Sequence, residues 1–286
     1  MQSVPMLMPP PRPVPLSLRI VNMFNVVAQI AWFVFGFGMI FFWAFCGSAD
    51  YSFLTFRGPH EQTTGKITSI RETGASENRQ RIHEVHYQFS LAGEGFQGTS
   101  YTTGGAGSEG DEVTIEYSAK DPMKSRIAGM RRGMFGPAVL FVAIFPLIGL
   151  AILIPSTVMG LKRNRLLREG MLAMGTLKSK EATNMTVNKR RVFELRFDFT
   201  ARDGQQHEAV ARTSDTARLE DEAQEPLLYD PNEPSRAYLL DEAPARPQVE
   251  MNGELRGRTG AAIGSLIVPV LMISVQALII YFKFVV

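Results

Sequence analysis

Cysteine is nearly missing from this chain: there is one, Cys46, in 286 residues. A lone thiol excludes an internal disulfide framework, and its place at the end of an apolar run suits a small buried filler. Histidine is scarce as well, with 4 residues. His83 and His86 are three apart on an expected strand, so they point to opposite faces and cannot share a metal there. His60 and His207 have no neighbouring cysteine. The formal net charge is only +2, which gives no reason to expect a nucleic-acid partner. A phosphate loop is missing too, because Gly104-Gly105-Ala106-Gly107 lacks the lysine and the helix that should follow. Asp111-Glu112 and Glu220-Asp221-Glu222 read as solvated turn residues rather than acid–base pairs. No catalytic residue, metal ligand or cofactor site is therefore expected.

The most informative absence is charge. Val21 to Cys46, Met134 to Met159 and Ala261 to Phe282 contain no Asp, Glu, Lys or Arg. Each run exceeds the roughly 20 residues that cross about 30 Å of hydrocarbon, which predicts transmembrane helices over 19–47, 133–160 and 259–283. The first run is too long for a cleaved secretory signal and follows a proline-rich rather than a basic leader. That leader, residues 1–18, holds Pro5, Pro9, Pro10, Pro11, Pro13 and Pro15 and is expected to be a disordered, polyproline-like tail.

Polar and small residues inside the runs are the candidates for helix packing. Asn25 and Gln29 are expected to hydrogen-bond a neighbouring helix or to lie near the headgroups. Gly260 and Gly264 form a G-x-x-x-G spacing that lets backbones approach, within the chain or in a homo-oligomer. Pro146 is expected to kink the second helix.

What the chain has in place of motifs is a repeat. Gly65 to Ser90 recurs without a gap as Gly175 to Thr200, a constant offset of 110 (175 − 65 and 200 − 90). Val85, Tyr87, Phe89 and Leu91 alternate with polar residues, and Leu195, Phe197, Phe199 and Ala201 do the same, the period of a half-buried strand. Strands are expected from Gly65 and Gly175, with turns at Gly93-Glu94-Gly95 and Asp203-Gly204. Glu112 to Tyr117 and Glu225 to Tyr229 give a later strand at an offset of 112 (225 − 113). Asp121-Pro122 and Asp230-Pro231 follow as turns, and Ser125-Arg126 and Ser235-Arg236 read as a return to the offset of 110. The expected fold is thus membrane α+β: three transmembrane helices with two duplicated small antiparallel β-domains, 62–130 and 172–246, in the two inter-helix loops, each a small barrel or sandwich.

One span separates the two copies, so they should lie on opposite faces of the bilayer. Arg12, Arg19, Lys162, Arg163, Arg165, Arg168, Arg256 and Arg258 lie on one side and a smaller basic set on the other. The bias predicts a cytoplasmic N-terminus and an external C-terminus in a cell (inner) membrane. Lys162, Arg163, Arg165 and Arg168, in the basic juxtamembrane segment 161–171, are candidates for contact with anionic lipid, although an orientation signal explains them as well.

Taken together, Gly65, Tyr87, Phe89, Gly110-Asp111-Glu112-Val113, Tyr117 and Asp121-Pro122, with Gly175, Phe197, Phe199, Tyr229-Asp230-Pro231 and Pro234, resemble the bacterial membrane family catalogued as domain of unknown function 3592. The resemblance implies a short β-domain between membrane helices and supplies no reaction or cofactor. Copy two departs from it with Glu222-Ala223-Gln224 where glycine-aspartate is expected. A structural or interaction protein with protein partners and the bilayer is the expected class. The alternatives are a subunit of an oligomeric transporter or channel, and a membrane enzyme.

Overall fold

The computed structural model describes residues 7–187 and 189–284. Among them, three helical segments are long and apolar enough to cross a membrane, Val26–Ser48, Pro137–Glu169 and Thr259–Lys283, as in a multi-pass membrane protein. Their apolar side chains point outward, with Val26, Leu147 and Ile267 all more than half exposed, as lipid-facing surfaces require. The chain forms two compact units, Met1–Gly36 with Ile148–Tyr281, and Phe37–Leu147 with Phe282–Val286.

The first helix is broken near its start, into α1 (Leu16–Met23) and α2 (Val26–Phe45). Asn25 explains the break, since its Oδ1 accepts hydrogen bonds from the backbone N–H groups of Val27 (3.0 Å) and Ala28 (3.2 Å) and so caps α2. A single helical turn, α3 (Ser52–Thr55), follows. The second span begins as a 3-10 helix, Pro137–Ala143, and continues as α4 (Ile144–Glu169). Pro146, expected to kink the helix from within, falls in the first turn of α4, where a missing N–H costs least. Pro155 is the interior proline. α5 (Thr259–Phe284) is the third span.

The proline-rich leader differs from expectation from residue 7 onward; Pro5 and the rest of 1–6 lie outside the described residues. Arg12 is 4% exposed. Its guanidinium donates to the carbonyl oxygens of Leu167 (3.1 Å) and Gly170 (2.7 Å), and its Nε to Met8. It therefore caps the C-terminal end of α4, whose last carbonyls have no helical partner. Leu18 of α1 is fully buried.

The segment after α3 folds into β1 (His60–Glu77), β2 (Gln80–Leu91), β3 (Glu94–Thr102), β4 (Glu112–Ser118) and β5 (Asp121–Ile127), in the sheet order β3-β2-β1-β4-β5. The segment after α4 gives β6 (Met171–Val187), β7 (Arg190–Thr200), β8 (Gln206–Thr213), β9 (Glu225–Asp230) and β10 (Glu233–Leu239), ordered β10-β9-β6-β7-β8. Read from the other edge, the second order is the first. A small hairpin, β11 (Gln248–Val249) and β12 (Leu255–Arg256), precedes α5.

Each five-stranded sheet curls until its edges meet. In the first, the Ile127 N–H donates to Ser100 Oγ at 2.9 Å, and Tyr101 and Arg131 exchange backbone hydrogen bonds. In the second, β8 touches β10. Strand 3 lying against strand 5 is the connectivity of five-stranded OB-type barrels.

The likeness extends to irregularities. The β1–β2 ladder shifts register between Ile67 and Ser69 and between Glu72 and Ser76. The β6–β7 ladder shifts between Leu177 and Ser179 and between Ala182 and Thr186, the same positions 110 residues on. Further along, His83 pairs with Thr102 and Phe193 with Thr213, so the second turn is one residue longer. Ile115 pairs with Ile127 and Leu227 with Leu239, which keeps the offset at 112 to the end. Ser125-Arg126 therefore corresponds to Ala237-Tyr238. The match to Ser235-Arg236 read from sequence is corrected by this register.

The cores follow. Val85, Tyr87, Phe89, Ile115, Tyr117 and Ile127 fill the first barrel, and Leu195, Phe197, Phe199, Leu227, Tyr229 and Leu239 the second, position for position. At about 1.5–3 kcal/mol per fully buried large side chain, these six outweigh the surface ion pairs, which contribute about 0–1 kcal/mol each.

The outer faces diverge. On β4 and β5, Glu116 and Arg126 form an ion pair at 2.8 Å. The matching Leu228 and Tyr238 are buried instead. Leu228 packs with Leu18, Val21, Leu167, Leu240 and Ala262, a second core joining the barrel to the ends of α1, α4 and α5.

Candidate functional site

A cavity of about 610 Å³ lies where the end of α4 meets the second barrel. α4 contributes Met159, Lys162, Arg163, Arg165 and Leu166; β7 and β8 contribute Glu194, Arg196, Val210 and Arg212; β9, β10 and the turn after them add Asp230, Arg236, Tyr238 and Glu242. Six cations and three carboxylates line it, but Arg165, Arg196, Arg212 and Arg236 are ion-paired with Glu169, Glu208, Glu194 and Glu233, so Lys162 and Arg163 are the lining cations without an ion pair among the described residues.

Neighbouring strands bring the sheet charges together, because alternate residues share a face. Glu194 accepts from Arg196 (2.6 Å) and from Arg212 (2.8 Å), and Arg196 also reaches Glu208 at 2.7 Å. The hydrogen bond from Arg212, then that from Arg196, hold the Glu194 carboxyl below its usual range. Glu84, at the matching position in the first barrel, pairs with Arg71 and accepts from Tyr101.

The helix side is less committed. The Arg163 guanidinium lies 5.4 Å from the centre of the Tyr238 ring, a cation–π distance. Tyr238 is 6% exposed and its hydroxyl has no hydrogen-bond partner among the described residues; burial pushes its pKa up. Burial also raises Glu242, which accepts from the Arg212 N–H.

Of the four basic residues read as lipid contacts, Lys162, Arg163 and Arg165 share this cavity. Arg168 lines a smaller recess beside Arg12 and Arg19. Asn25 Nδ2 lies 3.4 Å from Ser156 Oγ on α4, and Asn22 donates to Asn164. Gln29 bonds the Phe24 carbonyl one turn back instead. A methyl group at Gly260 or Gly264 would meet no other part of the described chain within 4 Å. The close approaches are elsewhere: a methyl group at Gly149 would stand 2.5 Å from the Phe35 nitrogen, and one at Gly160 2.6 Å from the Asn22 oxygen. Gln276 ties the third span to the first through the Gly36 carbonyl at 2.8 Å.

Sequence reasoning passed over Arg196, Arg212, Arg236 and Tyr238 because a cavity built from a helix and four strands has no local signature. The signal for Tyr238 was its replacement of Arg126, visible once the offset is 112. Glu225 was passed over too. It is 1% exposed, and neither carboxyl oxygen makes a well-formed hydrogen bond among the described residues. Burial, reinforced by Asp241 and Asp221, pushes its pKa up to about 7. Among the described residues, no three His, Cys, Asp or Glu side chains converge on a common point.

Compared with protein-family models, curated proteins and solved structures, the chain matches none.

Proposed function

We propose that the protein is a multi-pass inner-membrane adaptor whose two β-barrels are duplicates, displayed on opposite faces of the bilayer to hold different protein partners. The reading is supported by one observation: the framework is shared down to its register shifts, while the outer faces differ. Glu116 and Arg126 leave the first barrel with a polar, ion-paired face. Leu228 is committed to the second barrel's own anchorage, and Tyr238 is buried as well. Divergence of surface over a constant core is what two binding modules with separate partners require. The sequence resemblance to domain of unknown function 3592 belongs to the same reading, as does a cytoplasmic N-terminus.

A photo-crosslinking residue placed at exposed Gln97, on the first barrel, or at exposed Gln205, on the second, tests the proposal in living cells. Discrete adducts that differ between the two sites are expected. An absence of adducts from both sites, beside a positive control elsewhere in the membrane, would argue against an adaptor.

A further inference from the structure

The cavity at the end of α4 holds two cations, Lys162 and Arg163, that make no ion pair among the described residues. We propose that it is a binding site for the phosphate-bearing headgroup of an anionic phospholipid.

Its height in the bilayer is the first argument. Met134 to Met159 carries no charge, so Lys162, Arg163 and Arg165 are the first cations beyond the hydrocarbon, at the level of headgroups. Met159 and Leu166 line the same cavity and offer an apolar wall to the glycerol and upper acyl carbons.

Charge is the second. Lys162 and Arg163 make no ion pair among the described residues, and Arg163 lies over the Tyr238 ring. Arg212 and Arg236 line the sheet side, each sharing its charge with one carboxylate, Glu194 and Glu233. An anion here touches helix and barrel at once, and guanidinium groups bind phosphate in a bidentate manner. The Tyr238 ring, over which Arg163 lies, lines the same cavity. In the first barrel the corresponding Arg126 is already paired with Glu116. The proposal goes beyond the adaptor role and holds whichever proteins the barrels bind.

The test uses the full chain in a neutral detergent, titrated separately with dioctanoyl phosphatidylglycerol, dioctanoyl phosphatidylcholine and inorganic phosphate. Thermal unfolding and lipid retention in native mass spectrometry are the readouts. A saturable upward shift and one retained lipid are expected with phosphatidylglycerol alone. Lys162→Gln/Arg163→Gln/Arg236→Gln should raise the half-saturating concentration at least tenfold. The equally charge-reduced control Arg79→Gln/Lys120→Gln/Arg202→Gln should leave it unchanged. Should the triple variant fail to fold, Lys162→Glu alone, at an exposed position, is expected to weaken binding at least threefold. Equal responses to phosphatidylcholine or to inorganic phosphate, or equal losses in the control variant, would overturn the proposal.

Discussion

Thr73 and Thr183 make the same hydrogen bond in different barrels. The Thr73 hydroxyl donates to the Ile82 carbonyl and the Thr183 hydroxyl to the Val192 carbonyl, each at 2.8 Å. Each hydroxyl also accepts from the N–H two residues on, Ala75 and Met185. Both threonines lie inside the second register shift of their ladder. A β-bulge leaves ladder groups unpaired, and here one hydroxyl satisfies two of them. Thr73→Val and Thr183→Val keep the shape and remove the hydroxyl. Each should lower stability by about 1–2 kcal/mol, measured as a drop in the thermal unfolding midpoint in detergent; a neutral outcome for both would deny the threonines this role.

Tyr87 Oη and Ser125 Oγ are 2.9 Å apart in the first core. The corresponding residues in the second are Phe197 and Ala237, so a buried polar pair has an apolar pair as its counterpart. Tyr87→Phe alone leaves Ser125, 3% exposed, without its partner and should cost about 1 kcal/mol. Adding Ser125→Ala removes the orphan, so the double variant should cost less than the two single changes added together. Strict additivity in a double-mutant cycle would mean that the pair is not coupled.

Glu225 occupies the place of Val113 and makes the stability of the second barrel depend on pH. Its folded pKa, about 7, lies above its ordinary value of 4.5, so the proton is bound more tightly in the folded state. The sign follows: the contribution is fully present below about pH 4.5 and is lost as pH rises through about 7. Glu225→Gln should leave stability at pH 5 little changed and raise it at pH 8 by on the order of 2 kcal/mol. Unfolding midpoints with the same pH slope in both proteins would assign the dependence to other groups.

Gly149 and Gly264 should respond in opposite ways to the same small change. Gly149→Ala forces the backbones of the first and second spans apart and is expected to lower the unfolding midpoint by several degrees. Gly264→Ala meets open space and should leave the monomer as stable as before. If a second copy packs on that face, the same variant weakens chemical cross-linking between copies, and the two readouts separate the effects.

The helices and the central strands were legible because their signals are local. Charge-free runs mark the spans, and Val85-Tyr87-Phe89 and Leu195-Phe197-Phe199 alternate whatever surrounds them. The last strand was misaligned because the dipeptide Ser-Arg occurs by coincidence at both 125–126 and 235–236. Register is set by which side chains reach the core, and Ile127 and Leu239 settle it at the longer offset. Arg12 was unreadable because its acceptors are 155 and 158 residues away, and proline content dominated the local pattern. The cavity is assembled from five elements, so only part of it, Lys162 to Arg168, stood out along the chain.

Separation of the barrels by a lipid bilayer is the claim on which the adaptor reading depends. Single cysteines at Ser76 and at Asn184, both exposed positions, introduced into a Cys46→Ala background, can be reacted with a membrane-impermeant maleimide on intact cells or sealed vesicles. Ser76→Cys is expected to react from outside, and Asn184→Cys only after permeabilisation. Reaction of both from the same side would contradict the account.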